Sequence, residues 1–248
     1  MHKKFNKMLP RLSRDWKNFL DILYMKIALC YSGSLRTFSD CVGNHSLFFK
    51  NPDIFISTWS SNVRSQKIND PWHKKGKGIY PDKITKEYIT NTLPKTFKLK
   101  NLNIENFRED IVLPINCENK TSLSCQYYKI KDCYDLIPEP YSYDFIVRIR
   151  GDMLISDVKF SDKKLIFPDN IWYNYPASHS HREVNEMLWI SNPELMRKST
   201  SIYKNLLFIN DQLENNNMYG ERICFQNLLN ENLLDFIEYF SFKYNIIR

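Results

Sequence analysis

Between Tyr143 and Leu154 the chain reads YDFIVRIRGDML, an apolar run with arginine at two alternate positions, closed by Gly151-Asp152. At the two-residue period of a strand, Tyr143, Phe145, Val147 and Ile149 fall on one side, and Asp144, Ile146, Arg148 and Arg150 on the other. Two guanidiniums on one side of a strand, followed at once by a carboxylate on a turn, restrict where that strand end can lie. It has to face either a ligand or a charge partner. A phosphorylated ligand suits the first case, since the arginines offer forked donors to phosphate oxygens and Asp152 offers an anionic ligand to a divalent cation. An edge strand with a structural Arg-Asp pair is the other case, and this segment alone leaves both open.

With 248 residues, 43% of them hydrophobic and 15% aromatic, the chain can fill the core of one large α/β domain or two small ones. No apolar run approaches the roughly 18 to 20 residues that cross a bilayer as a helix, and the best candidate, Phe19 to Tyr31, is broken by Asp21 and Lys26. Residues 1–24 repeat Phe5, Met8, Leu9, Leu12, Trp16, Phe19, Leu20 and Leu23 at helical spacing, interrupted by Pro10. They lack a small-residue cleavage site behind a clean apolar core, so no signal peptide is read. Six basic residues against two acidic ones give this opening segment a formal charge of +4 out of the chain's +7. The remainder is only mildly basic, which argues against a nucleic-acid binder. The segment is expected to be an extension ahead of a single domain spanning 25–248, or a helix packed on it. Peripheral contact with anionic lipid is the competing use.

Six cysteines form no CxxC pair. They are expected to be reduced thiols of a cytoplasmic protein. The spacing of Cys117, Cys125 and Cys133 is not that of a zinc site, and the HxH of His179 and His181 reads as an ordinary loop.

Three strand ends carry the functional signal. Lys26 to Tyr31 is a strand leading into Ser32-Gly33-Ser34 and a helix start at Leu35 to Phe38, where Gly33 permits close approach of backbone to ligand and Arg36 adds charge. Pro52 to Trp59 reads as a buried parallel strand. Asn69 to Pro81 is a long polar loop, and Asp82 to Leu93 has helical spacing. A helix from Thr121 to Ile137, capped by Thr121 or Ser122 and ended by Pro138, feeds the arginine strand as half of a βαβ unit. Short strands are expected at Leu165 to Phe167 and Leu188 to Ser191. Helical regions follow at Ser199 to Leu207 and Tyr219 to Leu234, the last with Ile223, Phe225, Leu228, Leu229 and Leu233 inward. This order predicts a three-layer α/β domain, in which ligands sit at the carboxyl ends of strands. Ser32, Gly33 and Arg36 after one strand, Trp59 at the end of another and Arg150, Gly151 and Asp152 after a third would then converge.

The ordered set IALCYSGSLRTF, PDIFISTWSS, SLSCQYYKIKDCYDLI and YDFIVRIRGDMLI resembles a group of glycosyltransferase-like proteins from bacteria, phages and large viruses, over roughly Lys26 to Leu154. The resemblance implies the GT-A-type nucleotide-diphospho-sugar transferase fold, Rossmann-like, with a mixed and mostly parallel sheet. It implies a nucleotide-sugar donor held by Ser32, Gly33, Arg36, Trp59, Arg148 and Arg150, and a glycan or other hydroxyl acceptor in surface polysaccharide or glycoconjugate synthesis. The RIRGD turn stands where GT-A-type enzymes carry Asp-x-Asp. Asp152 would be the metal ligand, for Mn or Mg, with Arg150 at the first acidic position; the alternative is that Arg148 and Arg150 neutralise the departing diphosphate without metal. Asn185-Glu186-Met187-Leu188 corresponds to the group's Asn-Asp-Gln-Phe-like segment, and Gly220-Glu221 to its Pro-Glu. Asp152, Glu186 and Glu221 are therefore the candidate catalytic carboxylates. A catalytically inactive nucleotide- or glycan-binding module of the same fold is the alternative.

Overall fold

A computed structural model describes residues 25–61, 81, 83–168, 184–213, 219–241 and 244–247. The amphipathic segment 1–24, nearly all of the loop before Pro81 and the His179/His181 pair lie outside the described residues. Four strands, β1 (Ile27–Ser32), β2 (Asp53–Trp59), β3 (Lys98–Glu105) and β4 (Phe145–Ile149), lie parallel in the spatial order β3-β2-β1-β4. Beyond β4, the sheet continues through β7 (Leu188–Ser191), β6 (Leu165–Pro168) and β8 (Ile237–Phe240), with β7 antiparallel to both of its neighbours. Helices α1 (Phe38–His45) and α2 (Lys86–Thr92) come from the first half of the chain, and α3 (Lys120–Asp135) feeds β4. The second half supplies α4 (Pro193–Ser199), α5 (Ile202–Gln212) and α6 (Gly220–Asn230). A two-stranded pairing of β5 (Met153–Ile155) with β9 (Tyr244–Ile246) sits beside the main sheet. The fold is the expected α/β class, with a Rossmann-like, mixed and mostly parallel seven-stranded sheet.

Strand alternation divides the core in two. From β1, Ala28 and Cys30 join Tyr127, Ile130, Cys133 and Trp189 on one face, while Ile27, Leu29 and Tyr31 join Leu35, Phe38, Val147 and Ile149 on the other. Each buried aliphatic or aromatic side chain contributes about 1.5–3 kcal/mol relative to exposure, so covering both faces is what holds so apolar a sheet together. The arginine strand is therefore central, flanked by β1 and β7, and not an edge. Its regular part begins at Phe145, so Tyr143 lies outside the alternation and packs with Ile146 on the opposite face from Phe145.

Helix ends follow local chemistry. The Thr85 hydroxyl accepts from the Tyr88 amide at 3.1 Å, and the Asn192 side chain accepts from the Leu195 amide at 3.0 Å, each cap contributing about 1 kcal/mol. For α3, the N-cap position is Asn119, with Thr121 and Ser122 already inside the helix, so the expected hydroxyl cap is not formed. The helical region expected from Ser199 is instead two helices. Ser199, Thr200 and Ser201 turn their hydroxyls back onto carbonyls of Leu195, Met196 and Lys198, which competes with helix continuation. In α6, Leu229 is exposed rather than inward.

Two features of this topology position the site. The chain leaves β1 toward β2 and comes back on the other flank of β1 as β4, so the winding direction reverses between β1 and β4, where open α/β sheets form a crevice at their carboxyl ends. Because β7 runs antiparallel to β4, with Leu188 opposite Ile149, the segment entering β7 is delivered to that same edge.

Candidate functional site

At the end of β1, Gly33 adopts φ +94, a conformation that side chains rarely tolerate, and its amide donates to the Ser57 carbonyl at 3.0 Å. Ser32, on the same turn, accepts from Arg148 Nε at 3.1 Å. Arg148 is 3% exposed, donates Nη1 to the Glu186 carbonyl and lies over the Trp189 ring, 5.3 Å from its centroid. Burial lowers its pKa to about 10, against the opposing pull of Glu186, so it stays charged at neutral pH.

Beyond the strand, Arg150 and Asp152 are joined fork to fork. Nε lies 2.9 Å from Oδ1 and Nη2 2.7 Å from Oδ2, while Arg150 Nη1 meets the Met187 sulfur at 3.1 Å. Arg36, from the loop after β1, brings Nη1 to 3.5 Å from Asp152 Oδ2. Asp152 is 1% exposed. Desolvation works against the Arg150 charge, but the carboxylate beside it outweighs that and holds the guanidinium pKa above its ordinary value. Gly151 allows the turn to seat on α1: a Cβ there would stand 3.0 Å from Leu35 Cδ2 and 3.3 Å from Phe38 Cδ2.

Glu186 arrives on the segment entering β7. Its carboxylate accepts from Gln126 Nε2 and lies 3.3 Å from the Tyr127 hydroxyl, whose one proton is directed to the Gly220 carbonyl at 2.8 Å. Gly220 opens α6 directly against it, since a Cβ at that position would lie 2.2 Å from Glu186 Oε2. The positive end of a helix favours a carboxylate there. Glu221 follows next in α6, and its carbonyl accepts from the Val184 amide at 3.2 Å.

At the β1/β4 edge one cluster is thus assembled from two sets: Arg148 joins Ser32 to the Glu186 carbonyl, while Arg150 joins Asp152 to Met187, the residue after Glu186, with Arg36 closing on Asp152; Gly33 adjoins through Ser32 and Glu221 through Gly220. Trp59 does not join it. Its side chain is buried, stacked on Tyr128 at 6.1 Å between centroids and edge-on to Phe107, with the Lys129 ammonium 4.2 Å over the ring. Lys129, whose side chain is 0% exposed, is in turn paired with Glu105. The apolar cost of hiding an ammonium is met by that aromatic and carboxylate cage, so Trp59 serves the packing of α3 on the sheet.

Sequence reasoning passed over Gln126 and Tyr244. Tyr127 was legible only as a helix-core position, and its hydroxyl role depends on Glu186 arriving from a distant segment. Tyr244, on β9, accepts from Asn185 Nδ2 at 2.9 Å, and the Ile247 amide donates to the Asp152 carbonyl at 2.9 Å, so the last strand ties the Arg150-Asp152 turn in place.

A divalent cation on Asp152 does not suit these residues. Both carboxylate oxygens are engaged by guanidinium, and among the described residues no group of three or more His, Cys, Asp or Glu is placed to hold a metal. All six cysteines are free, and no described helix is long and apolar enough to cross a membrane.

No family model and no curated protein matches this sequence. Among solved structures, the chain is similar to the apo form of the glycosyltransferase GlyE of Streptococcus pneumoniae TIGR4, at 10% identity and a TM-score of 0.47, over 88% of this chain and 45% of that one. A second GlyE structure gives 8% identity and a TM-score of 0.48 over 88% and 46%. The galactosyltransferase LgtC, in complex with donor and acceptor sugar analogs, gives 10% identity and a TM-score of 0.47 over 87% of this chain and 73% of that one. The chain spans less than half the length of GlyE. These likenesses are distant, so residue roles have to come from this chain's own geometry.

Proposed function

We propose that this chain is a GT-A-type glycosyltransferase, moving a sugar from a nucleotide-diphospho-sugar to a hydroxyl acceptor on a glycan or glycoconjugate. The observation that carries the reading is the coincidence of two independent features. The strand order reverses its winding between β1 and β4, and at that edge Arg36, Arg148, Arg150, Asp152 and Glu186 gather from three separate stretches of chain. A diphosphate leaving group develops negative charge as the glycosidic bond to it breaks, and prepositioned guanidiniums stabilise that charge without reorganising. The Gly33 turn lets the nucleotide approach the backbone closely. Glu186 is the carboxylate suited to accept the acceptor hydroxyl's proton, because Gln126, Tyr127 and the start of α6 fix its orientation. Glu221, one residue into the same helix, is the second candidate.

The test is turnover of a panel of UDP-, GDP- and CMP-sugars, followed by mass spectrometry of the products. Transfer or donor hydrolysis that is abolished in Glu186→Gln and Asp152→Ala supports the reading; absence of both nucleotide binding and turnover across the panel refutes it. The full engagement of Asp152 by arginines gives weight to a second reading, a nucleotide- or glycan-binding module without turnover. Nucleotide binding with no hydrolysis or transfer would select that reading.

A further inference from the structure

We propose that the Arg36, Arg150 and Asp152 cluster takes a pyrophosphate group directly on guanidinium, with the Arg150-Asp152 pair standing where a bound divalent cation would otherwise be needed. The identity of the ligand rests on the nucleotide-sugar reading above; the charge argument does not. Hard divalent cations require several oxygen ligands. To reach Asp152 such an ion would have to displace a bidentate fork and the Arg36 contact, and the carboxylate of Glu186 is already turned to Gln126 and Tyr127.

The charge balance points the same way. Arg36 and Arg150 against Asp152 leave one net positive charge in the proposed anion site. That excess is a cost to an entering dication and a gain to an entering pyrophosphate. Exposure supports the approach path. The side chains of Arg36 and Arg150 are 15% and 18% exposed, whereas Arg148 is buried. Arg150 Nη1 has the Met187 sulfur as its partner, a weak acceptor that a phosphate oxygen would replace at a gain. Asp152 is then a positioning residue that fixes the plane of the Arg150 fork.

Thermal unfolding of the wild-type chain with UDP, in EDTA and in Mn2+, tests this together with a titration of Mn2+ alone followed by electron paramagnetic resonance. The expected result is the same rise in Tm under both conditions and no loss of the free Mn2+ signal. Arg150→Gln should weaken UDP binding about tenfold or more in EDTA. Arg150→Asp, which releases Asp152 from the bidentate fork and adds a second carboxylate against the remaining Arg36, should begin to bind Mn2+. A Tm rise seen only with Mn2+, or Mn2+ bound by the wild type and released in Asp152→Asn, overturns the proposal while leaving the glycosyltransferase reading intact. If no nucleotide binds, inorganic pyrophosphate in EDTA decides: stabilisation lost in Arg150→Gln upholds the anion site alone, and no stabilisation overturns it.

Discussion

The guanidinium of Arg150 and the carboxylate of Asp152 meet across a single intervening glycine, and Arg36 closes on the same carboxylate from the loop after β1. Removing one partner strands the other in a site with little water. Asp152→Asn should therefore destabilise the chain by about 3 kcal/mol in urea unfolding. Arg150→Met added to it should cost clearly less than Arg150→Met alone, because the two residues share one interaction.

His45 provides a pH dependence. On α1 it accepts from the Tyr31 hydroxyl at Nδ1, 2.8 Å, and donates Nε2 to the Met153 carbonyl at 2.6 Å, pinning the helix to the strand that follows Asp152. Burial lowers its pKa to about 4, with the Met153 hydrogen bond opposing. The folded value lies below the ordinary 6.5, so the protonated ring favours unfolding. Stability is fully present above about pH 6.5 and falls as the pH drops toward 4, by up to about 3 kcal/mol. Urea unfolding at pH 7 and pH 4.5 should show a shallower decline in His45→Gln than in the wild type.

Gly220→Ala places a Cβ where the Glu186 carboxylate now sits. The carboxylate must rotate away from Gln126 and Tyr127, at a cost of about 1–3 kcal/mol in stability. If Glu186 takes the acceptor proton, kcat falls in this variant while donor affinity, measured calorimetrically, changes little.

Trp59→Phe separates packing from ligand contact. Loss of the indole beneath the Lys129 ammonium should lower stability by about 1–2 kcal/mol. Affinity for UDP should stay within about twofold of wild type, because Trp59 is enclosed by Tyr128, Phe107 and Lys129. A large fall in affinity would return Trp59 to the binding site.

The parts of the fold legible in the sequence are those whose neighbours are generic. Any apolar partner rewards the continuous runs of β1, β2 and β4, and the spacing of Leu123, Tyr127, Ile130 and Tyr134 specifies one buried helix face whatever lies opposite. Strand β3, KLKNLNIE, escaped notice because it lies on an edge and half-exposes polar residues. Strands β8 and β9 are short, and each is defined by pairing with residues far away in the chain.

Sequence alone determined the class of domain, the strand ends at Ser32 and Arg150, and the presence of arginine and carboxylate on the turn after β4, because period and turn chemistry are local. Tertiary structure decided which charges meet. The reversal of winding between β1 and β4 and the antiparallel entry into β7 bring Arg36 to Asp152 and the Glu186 carbonyl to Arg148, while the packing of α3 encloses Trp59. Those encounters depend on distances between residues separated by many tens of positions, which neither composition nor periodicity encodes.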